Sequence, residues 1–388
     1  MSPDSRIDIV LLGSTGRLGG WAFAELLGQS ERFRLVGLGG GQRADVLANQ
    51  ARRWHASNGH WPRLGVATTE AADALRAALS EPSVEVEVGA PGGRRLAAAG
   101  AGSVVVCAIG GLAAWPAVQA AADAGAHLVI ASKEVLALAG HVLRTRAEER
   151  GGALHALDSE LTAAAQLLAG SLPGPGVRLL LPATGGPFRT WSPGRLREVT
   201  PEAAVRHPVW DMGPKISVDS ATGVNKALEV VVAHRLFGLA PAQLEVVIHP
   251  EARVHAILVP IDGEERALVA PPDMRLPLRH LLGLPTPEVQ ILSPRPRAGV
   301  SFEPLVPERF PGAALGHEAL ARGPGAVAAL VGADDAAVEA FLAGRLPFPE
   351  LVPILQRTVA QAPACSDEPD ALRQAAENAR EKLRRRLF

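Results

Sequence analysis

The stretch HALDSEL (155–161) sets two carboxylates, Asp158 and Glu160, on either side of Ser159. Like charges held this close repel, and each costs energy to strip of water. Two chemistries repay that cost: a general acid and base pair, or ligation of a hard divalent cation. A third acid, Glu229, closes the stretch SVDSATGVNKALE (217–229) and favours the cation. All-oxygen ligation without a His or Cys cluster points to Mg2+ or Mn2+ rather than zinc. The plain alternative is local, with Asp158 and Glu160 capping the helix of LTAAAQLLAG and facing solvent.

Between these acids lies a polar constellation. PATGGPFR (182–189) offers Thr184 beside two glycines, and HPVWDMGPKISVDSATGVNK (207–226) offers His207, Ser220, Asn225 and Lys226. Hydroxyls, an imidazole, an amide and one ammonium form a donor set for a phosphate monoester. Asn225, Lys226 and Glu229 fall on neighbouring turns of one helix, so its first part can serve phosphate and metal together. Trp210 and Met212 sit in a Pro/Gly-punctuated loop able to close over a substrate and exclude water. Taken singly, each has a structural reading: a buried His, a core Trp, a capping Ser.

A third group of residues suits a dinucleotide. GSTGRLGG (13–20) follows an apolar strand and opens a helix, with Gly13, Gly16 and Gly19 spaced G-x-x-G-x-x-G. Such glycines let backbone approach a pyrophosphate, whose charge the helix N-terminus stabilises. An ordinary glycine turn is the alternative. After the second strand comes GGGQRAD (39–45), with Arg43 where an acid would read an NADH ribose, which favours the 2′-phosphate of NADPH unless Arg43 is a solvated surface residue. IASKEVLALAG (130–140) places Lys133 and Glu134 at a strand's carboxyl end, where open α/β sheets bind ligands; as a bare pair, they are simply a helix start.

These groups need elements to hold them. Over residues 1–150, apolar runs alternate with helical segments: IDIVLLG with GGWAFAELLGQ, FRLVGLGG with ADVLANQARRW, SVVVCAIGG with WPAVQAAADAG, HLVIASK with EVLALAGHVLRTRAEER. The alternation predicts an α/β, Rossmann-like, doubly wound parallel sheet. GGALHAL reads as a further short buried strand, on which side chains two apart share a face, so that Asp158 and Glu160 point together. Residues 151–285 mix strands (VRLLLPATGG, LEVVIHP, RVHAILVP) with a helix near 222–237, a central α+β catalytic domain. A Pro-rich connector, 286–312, leads to a C-terminal helical bundle, 313–388, whose basic end suits a helix dipole.

Composition sets bounds on partners. The 388 residues exceed one core and imply two or three domains. A net charge of −1 excludes a general nucleic-acid or anionic-membrane surface. Cys107 and Cys365 stand far apart, giving neither a disulfide framework nor a zinc spacing, which fits a reducing compartment. MSPDSRIDIVLLG does not read as a signal peptide, and no apolar run is long enough to cross a bilayer. A cytoplasmic protein is expected.

Read together, the segments resemble the 1-deoxy-D-xylulose 5-phosphate reductoisomerase family over nearly the whole chain. The resemblance rests on GSTGRLG, ASKE, DSE, TGGPFR, HPVWDMGPKISVDSAT, NKALE, IHPEARVH and PPDMRLP, in that order, with AAVEAFLAGRLPF similar to the family's helical domain. It implies NADPH- and metal-dependent rearrangement and reduction of 1-deoxy-D-xylulose 5-phosphate to 2-C-methyl-D-erythritol 4-phosphate, on the way to isoprenoids, by a homodimer. Carried over by position, Asp158, Glu160 and Glu229 would ligate Mg2+ or Mn2+. Thr184, Ser220, Asn225, Lys226 and His207 would hold the phosphate, and Ser159 would touch the substrate backbone. Trp210 and Met212 would lie on the closing flap. Gly13, Ser14, Thr15, Gly16, Arg17, Leu18, Gly19, Gly41, Gln42, Arg43, Ser132, Lys133, Glu134 and Gly213 would contact the dinucleotide. Lys133 and Met212 would lie where nicotinamide and substrate meet.

The chain also departs from the family pattern. Thr184 stands where Ser is usual, and Ser132 and Arg43 where Asn is common. Asp211 adds a charge to the flap, Gly223 and Ala256 replace a larger residue and a Ser, and GADD (332–335) stands for AANE. No metal ligand is lost. The departures leave a paralogue acting on a related phosphorylated or phosphonylated keto compound as the second reading, and a non-catalytic dinucleotide-binding protein as the third.

Overall fold

The structure, a computed structural model, describes residues 6–168, 174–261, 264–292 and 300–388. Its chain divides into two compact units. The first takes in the described residues up to Val135, with Gly140–Asp158 and Met274–Pro285; the second takes in Leu136–Ala139, Ser159–Asp273 and Thr286–Phe388.

The first unit is the expected parallel sheet. Its strands are β1 (Ile7–Leu12), β2 (Phe33–Gly39), β3 (Arg63–Val66), β4 (Val86–Val88), β5 (Val104–Cys107), β6 (His127–Ile130) and β7 (Ala153–Ala156). They lie in the order β4-β3-β2-β1-β5-β6-β7, so the winding reverses between β1 and β5. Carboxyl ends of strands at such a reversal leave a crevice for a ligand. Helices α1 (Arg17–Leu27), α2 (Ala44–Asn58), α3 (Thr69–Leu79), α4 (Gly89–Ala97), α5 (Trp115–Asp123) and α6 (Lys133–Glu148) join them. Phe23, Phe33, Leu35, Leu47 and Trp54 fill the core. Sequence reading assigned no element between Trp54 and Ser103, where β3, α3, β4 and α4 lie. β3 and β4 have only 4 and 3 residues and carry charges, so no apolar run marks them.

The second unit contains α7 (Ser159–Leu168), β8 (Arg178–Ala183), α8 (Pro201–Ala204), α9 (Pro214–Thr222), α10 (Val224–Phe237), β9 (Leu244–Ile248), β10 (Val254–Val259) and β11 (Arg266–Val269). After α11 (Arg275–Leu281), which belongs to the first unit, come β12 (Gln290–Leu292), β13 (Glu303–Pro304), α12 (Leu315–Arg322), α13 (Pro324–Leu342), α14 (Leu351–Ala360) and α15 (Pro369–Leu387). The mixed sheet runs β12-β11-β10-β8-β9-β13, with β8 and β9 parallel and the other pairs antiparallel. The Pro-rich connector thus contributes two short edge strands; its residues 293–299 lie outside the described residues. The C-terminal helices share a unit with this sheet, and α12 and α13 pack on α10 and α9.

Candidate metal and substrate centre

The expectation that Asp158 and Glu160 share a strand face is corrected by the structure. β7 ends at Ala156, Asp158 follows in a loop, and Glu160 sits in the first turn of α7. Ser, Asp and Glu favour a helix start over a strand end because they serve its unsatisfied amides and dipole. The acids nevertheless converge. Asp158, Glu160 and Glu229 each offer a carboxylate oxygen, and these atoms lie within 4.8 Å of one another.

Helix α10 brings Glu229 to this point. Ten of the fourteen residues of α10 are buried, Lys226 and Glu229 among them, so these charged side chains need polar partners. Asn225 Nδ2 donates to Glu229 Oε1 at 2.6 Å, and Lys226 Nζ donates to Glu229 Oε2 at 2.7 Å. Lys226 also lies 3.3 Å from Glu160, whose other oxygen accepts from the Ser159 hydroxyl at 2.6 Å. Lys133 Nζ meets Asp158 at 2.7 Å, both side chains buried. Two like charges about 4 Å apart cost about 4 kcal/mol at an effective dielectric of about 20. A divalent cation among these acids would offset their mutual repulsion, and carboxylate oxygens are the donors that Mg2+ and Mn2+ take.

The phosphate-donor candidates assemble in the second unit. Thr184 follows β8, and its two glycines bend the chain onto α9. At Gly186, φ is +63°, and a Cβ there would sit 2.9 Å from the Ala221 Cα, so the turn needs glycine to reach Ser220 and Ala221. His207 is tied at both ring nitrogens. Nδ1 accepts from the amides of Val209 and Trp210 at 3.2 and 2.9 Å, so the ring proton is on Nε2, which donates to Thr184 Oγ1 at 2.9 Å. Gly186 N also donates to that oxygen, at 3.3 Å. With its lone pairs so engaged, the Thr184 hydroxyl is left to donate, as an anion requires. Burial, helped by the positive charge of Lys226, lowers the His207 pKa to about 4, so the ring is neutral. Ser220 is half-buried on α9, and Asn225 and Lys226 open α10. Trp210 and Met212 are half-buried in the irregular segment before α9; Asp211 and Gly213 beside them are exposed.

One neighbour escaped the sequence reading. His255 on β10 is buried and lies edge-on to Trp210, with ring centroids 6.1 Å apart. Burial pushes its pKa below the usual histidine range, against the pull of Glu160. An apolar strand with one histidine reads as core, so the only signal was that His255 closes the IHPEARVH motif (248–255).

The dinucleotide candidates gather after β1, β2 and β6. A Cβ on Gly19 would lie 2.1 Å from the Gly13 carbonyl oxygen, so the turn closes onto α1 only with glycine there. Ser14 is buried and exchanges two bonds with Gln50, its hydroxyl donating to Oε1 at 2.8 Å and its carbonyl accepting from Nε2 at 2.9 Å. These bonds pin the turn to α2. Gly41 N donates to Thr15 Oγ1 at 3.4 Å, joining the turns after β1 and β2. Gly16, Arg17, Gly41, Gln42 and Arg43 are exposed, Leu18 half-buried, and Arg43 precedes α2. Ser132 caps α6 by accepting from Val135 N, and its hydroxyl lies 2.9 Å from the Gly111 carbonyl and 3.1 Å from Glu134. The glycine turn, the turn after β2 and the N-terminus of α6 thus belong to one unit.

Comparison with known proteins gives one consistent match. A family model described as 1-deoxy-D-xylulose 5-phosphate reductoisomerase matches residues 9–140, and one described as that enzyme's C-terminal domain matches 154–237. A third, DXP reductoisomerase C-terminal domain, matches 269–383. The 1-deoxy-D-xylulose 5-phosphate reductoisomerase of Anaeromyxobacter dehalogenans is 40% identical over 349 residues, 89% of this chain and 88% of that protein. That of Caulobacter vibrioides is 37% identical over 378 residues, 96% and 92% of the two chains. A crystal structure of DOX-P reductoisomerase in complex with NADPH, fosmidomycin and magnesium aligns with a TM-score of 0.87 and 29% identity, covering 98% of this chain and 97% of that one. The Zymomonas mobilis enzyme in complex with NADPH aligns with a TM-score of 0.84 and 29% identity, over 98% and 99%.

Proposed function

This chain belongs to the 1-deoxy-D-xylulose 5-phosphate reductoisomerase family, and from that premise we propose how its residues carry out the family's reaction. The reaction is the NADPH- and divalent-metal-dependent rearrangement and reduction of 1-deoxy-D-xylulose 5-phosphate to 2-C-methyl-D-erythritol 4-phosphate. The observation that carries the reading is the convergence of three acids on one point, within reach of a lysine that also opens a phosphate-donor helix.

Asp158, Glu160 and Glu229 hold Mg2+ or Mn2+, and the turns after β1, β2 and β6 hold NADPH. When bound, the ion supplies Lewis acidity at the substrate oxygens and NADPH supplies the hydride. Lys226, Asn225, Ser220 and the Thr184 hydroxyl bind the phosphate, whose remote binding energy aligns the reacting end. His207 keeps Thr184 oriented as a donor. Ser159 fixes the Glu160 carboxylate and touches the substrate backbone. Lys133 orients Asp158; from the family resemblance, Lys133 and Met212 would each serve where nicotinamide and substrate react. Trp210 and Met212 close over the substrate and keep water from it. Glu134, Gly213 and Arg43 complete the cofactor contacts, Arg43 at the 2′-phosphate.

Functionally we divide the chain into a cofactor domain (1–150), a catalytic domain (151–285), a connector (286–312) and a helical domain (313–388). Among the described residues no helix is long and apolar enough to cross a membrane. A cytoplasmic homodimer is our reading from the family resemblance, and light scattering tests the dimer. The reaction itself is tested by mixing purified protein, 1-deoxy-D-xylulose 5-phosphate, Mn2+ and NADPH or NADH and following cofactor absorbance. Oxidation of NADPH, abolished by chelator and much slower with NADH, is expected. No substrate-dependent oxidation with either cofactor would overturn the reading.

A further inference from the structure

The segment proposed to close over substrate, 208–213, is moored at its entry by the bonds of His207 to Thr184. Its exit is Gly213, which caps α9: the Ser217 amide and hydroxyl both bond the Gly213 carbonyl, at 3.1 and 3.0 Å. Besides its packing on neighbouring helices, α9 carries an ion cluster built on two buried carboxylates. Lys215, in the first turn of α9, donates from Nζ to Asp219 Oδ2 at 2.8 Å and to Asp334 Oδ2 at 2.5 Å. Both carboxylates are buried, with side chains 4% and 2% exposed. Asp219 lies on α9, four residues on; Asp334 lies on α13, which packs against α9.

This arrangement is costly by local rules. A cation in the first turn of a helix opposes the helix dipole, and α9 has no acid in that turn. Asp334 occupies a helix whose residues are otherwise almost all small or apolar and buried. Buried charges in such a setting need a partner, and of these two arms the one to Asp334 reaches from α9 to another element. The Asp219 arm stays within α9 and cannot fix its position.

We infer that Asp334, acting through Lys215, is a positioning residue that anchors the exit of the closing segment by locking the N-terminal end of α9 to α13. With entry and exit both fixed, only the residues between His207 and Gly213 need move when substrate binds. The anchor keeps them near their closed arrangement, and less binding energy is consumed in ordering them. The inference rests on the proposed reaction for its kinetic consequence but not for its structural one.

The test compares D334N, which keeps shape and a neutral acceptor, with D334L, which keeps volume alone, and with D219N, which leaves the cross-helix arm. Amide exchange of residues 208–216, measured without substrate, is expected to accelerate about tenfold in D334L, less in D334N and little in D219N. The KM for 1-deoxy-D-xylulose 5-phosphate should rise about tenfold in D334L and about threefold in D334N, with kcat and NADPH affinity within about twofold of wild type. A role in general stability alone would instead lower the active fraction, reducing kcat while KM stays put. Unchanged exchange in 208–216 overturns the anchor even if turnover were absent. An unchanged KM in an active D334L, or in D334N should D334L not fold, overturns its part in substrate binding.

Discussion

Glu229 is fully buried, paired with Lys226 and Asn225, and near two other acids. Replacing it by Gln keeps the shape and removes the charge that a cation needs. E229Q should lower kcat by at least about a hundredfold even at high Mn2+, because metal stabilisation of developing charge is worth several kcal/mol. NADPH affinity, measured by fluorescence titration, should stay within about twofold. His207 gives a pH signature. Its pKa falls from the ordinary 6.5 to about 4 in the folded protein, so the unfolded chain takes up the proton first on acidification. This residue therefore contributes stability above pH 6.5 that is lost as pH falls toward 4, and nothing more below that. H207N retains an acceptor for the Val209 and Trp210 amides without titrating. Urea unfolding across this range should show a flatter dependence for H207N; parallel curves would refute the assignment. The acids, Lys226 and Thr184 were legible because ionisable and hydroxyl residues clustered in specific strings. His255 and Asp334 stood in the strings IHPEARVH and GADD, but their roles were not legible, since one histidine in a strand and one acid in an Ala-rich helix show no partner until neighbouring elements are placed.

At the scale of elements, the turn after β1 decides cofactor binding. A methyl at Gly19 collides with the Gly13 carbonyl and forces the turn away from α1. G19A should weaken NADPH binding about tenfold and lower the melting temperature by several degrees, from overpacking of about 1–3 kcal/mol. Wild-type NADPH affinity in G19A would show that the turn is not the cofactor cradle. β1, β2, β5 and β6 were legible as apolar runs closed by glycine or a helix start. β3 and β4 were invisible because such short strands gain their stability from pairing with neighbours, not from their own composition. The same holds for α9, to whose polar string no element was assigned. Its helix is held by Gly213, Lys215 and the packing of α13. The acid pair was read on a strand face and lies at a helix start. Proximity was the right conclusion, drawn from the wrong local geometry.

At the scale of the whole molecule, the candidate groups divide between the units. The parallel-sheet unit offers strand ends and a glycine turn suited to a dinucleotide, with Lys133 and Asp158. The mixed-sheet unit carries Glu160, Glu229, the candidate phosphate donors and the helices that brace them. Within the expected C-terminal helical bundle, α12 and α13 pack directly on α10 and α9. Apolar periodicity shows that a helix buries a face but not which partner covers it. Family membership says which reaction such a chain performs; the arrangement of its charges says why the acids tolerate one another. The most direct test is a crystal grown with Mn2+, examined by anomalous scattering. We expect a single peak within coordination distance of Asp158, Glu160 and Glu229. No peak there, or manganese bound elsewhere with the three carboxylates turned apart, would contradict the metal centre.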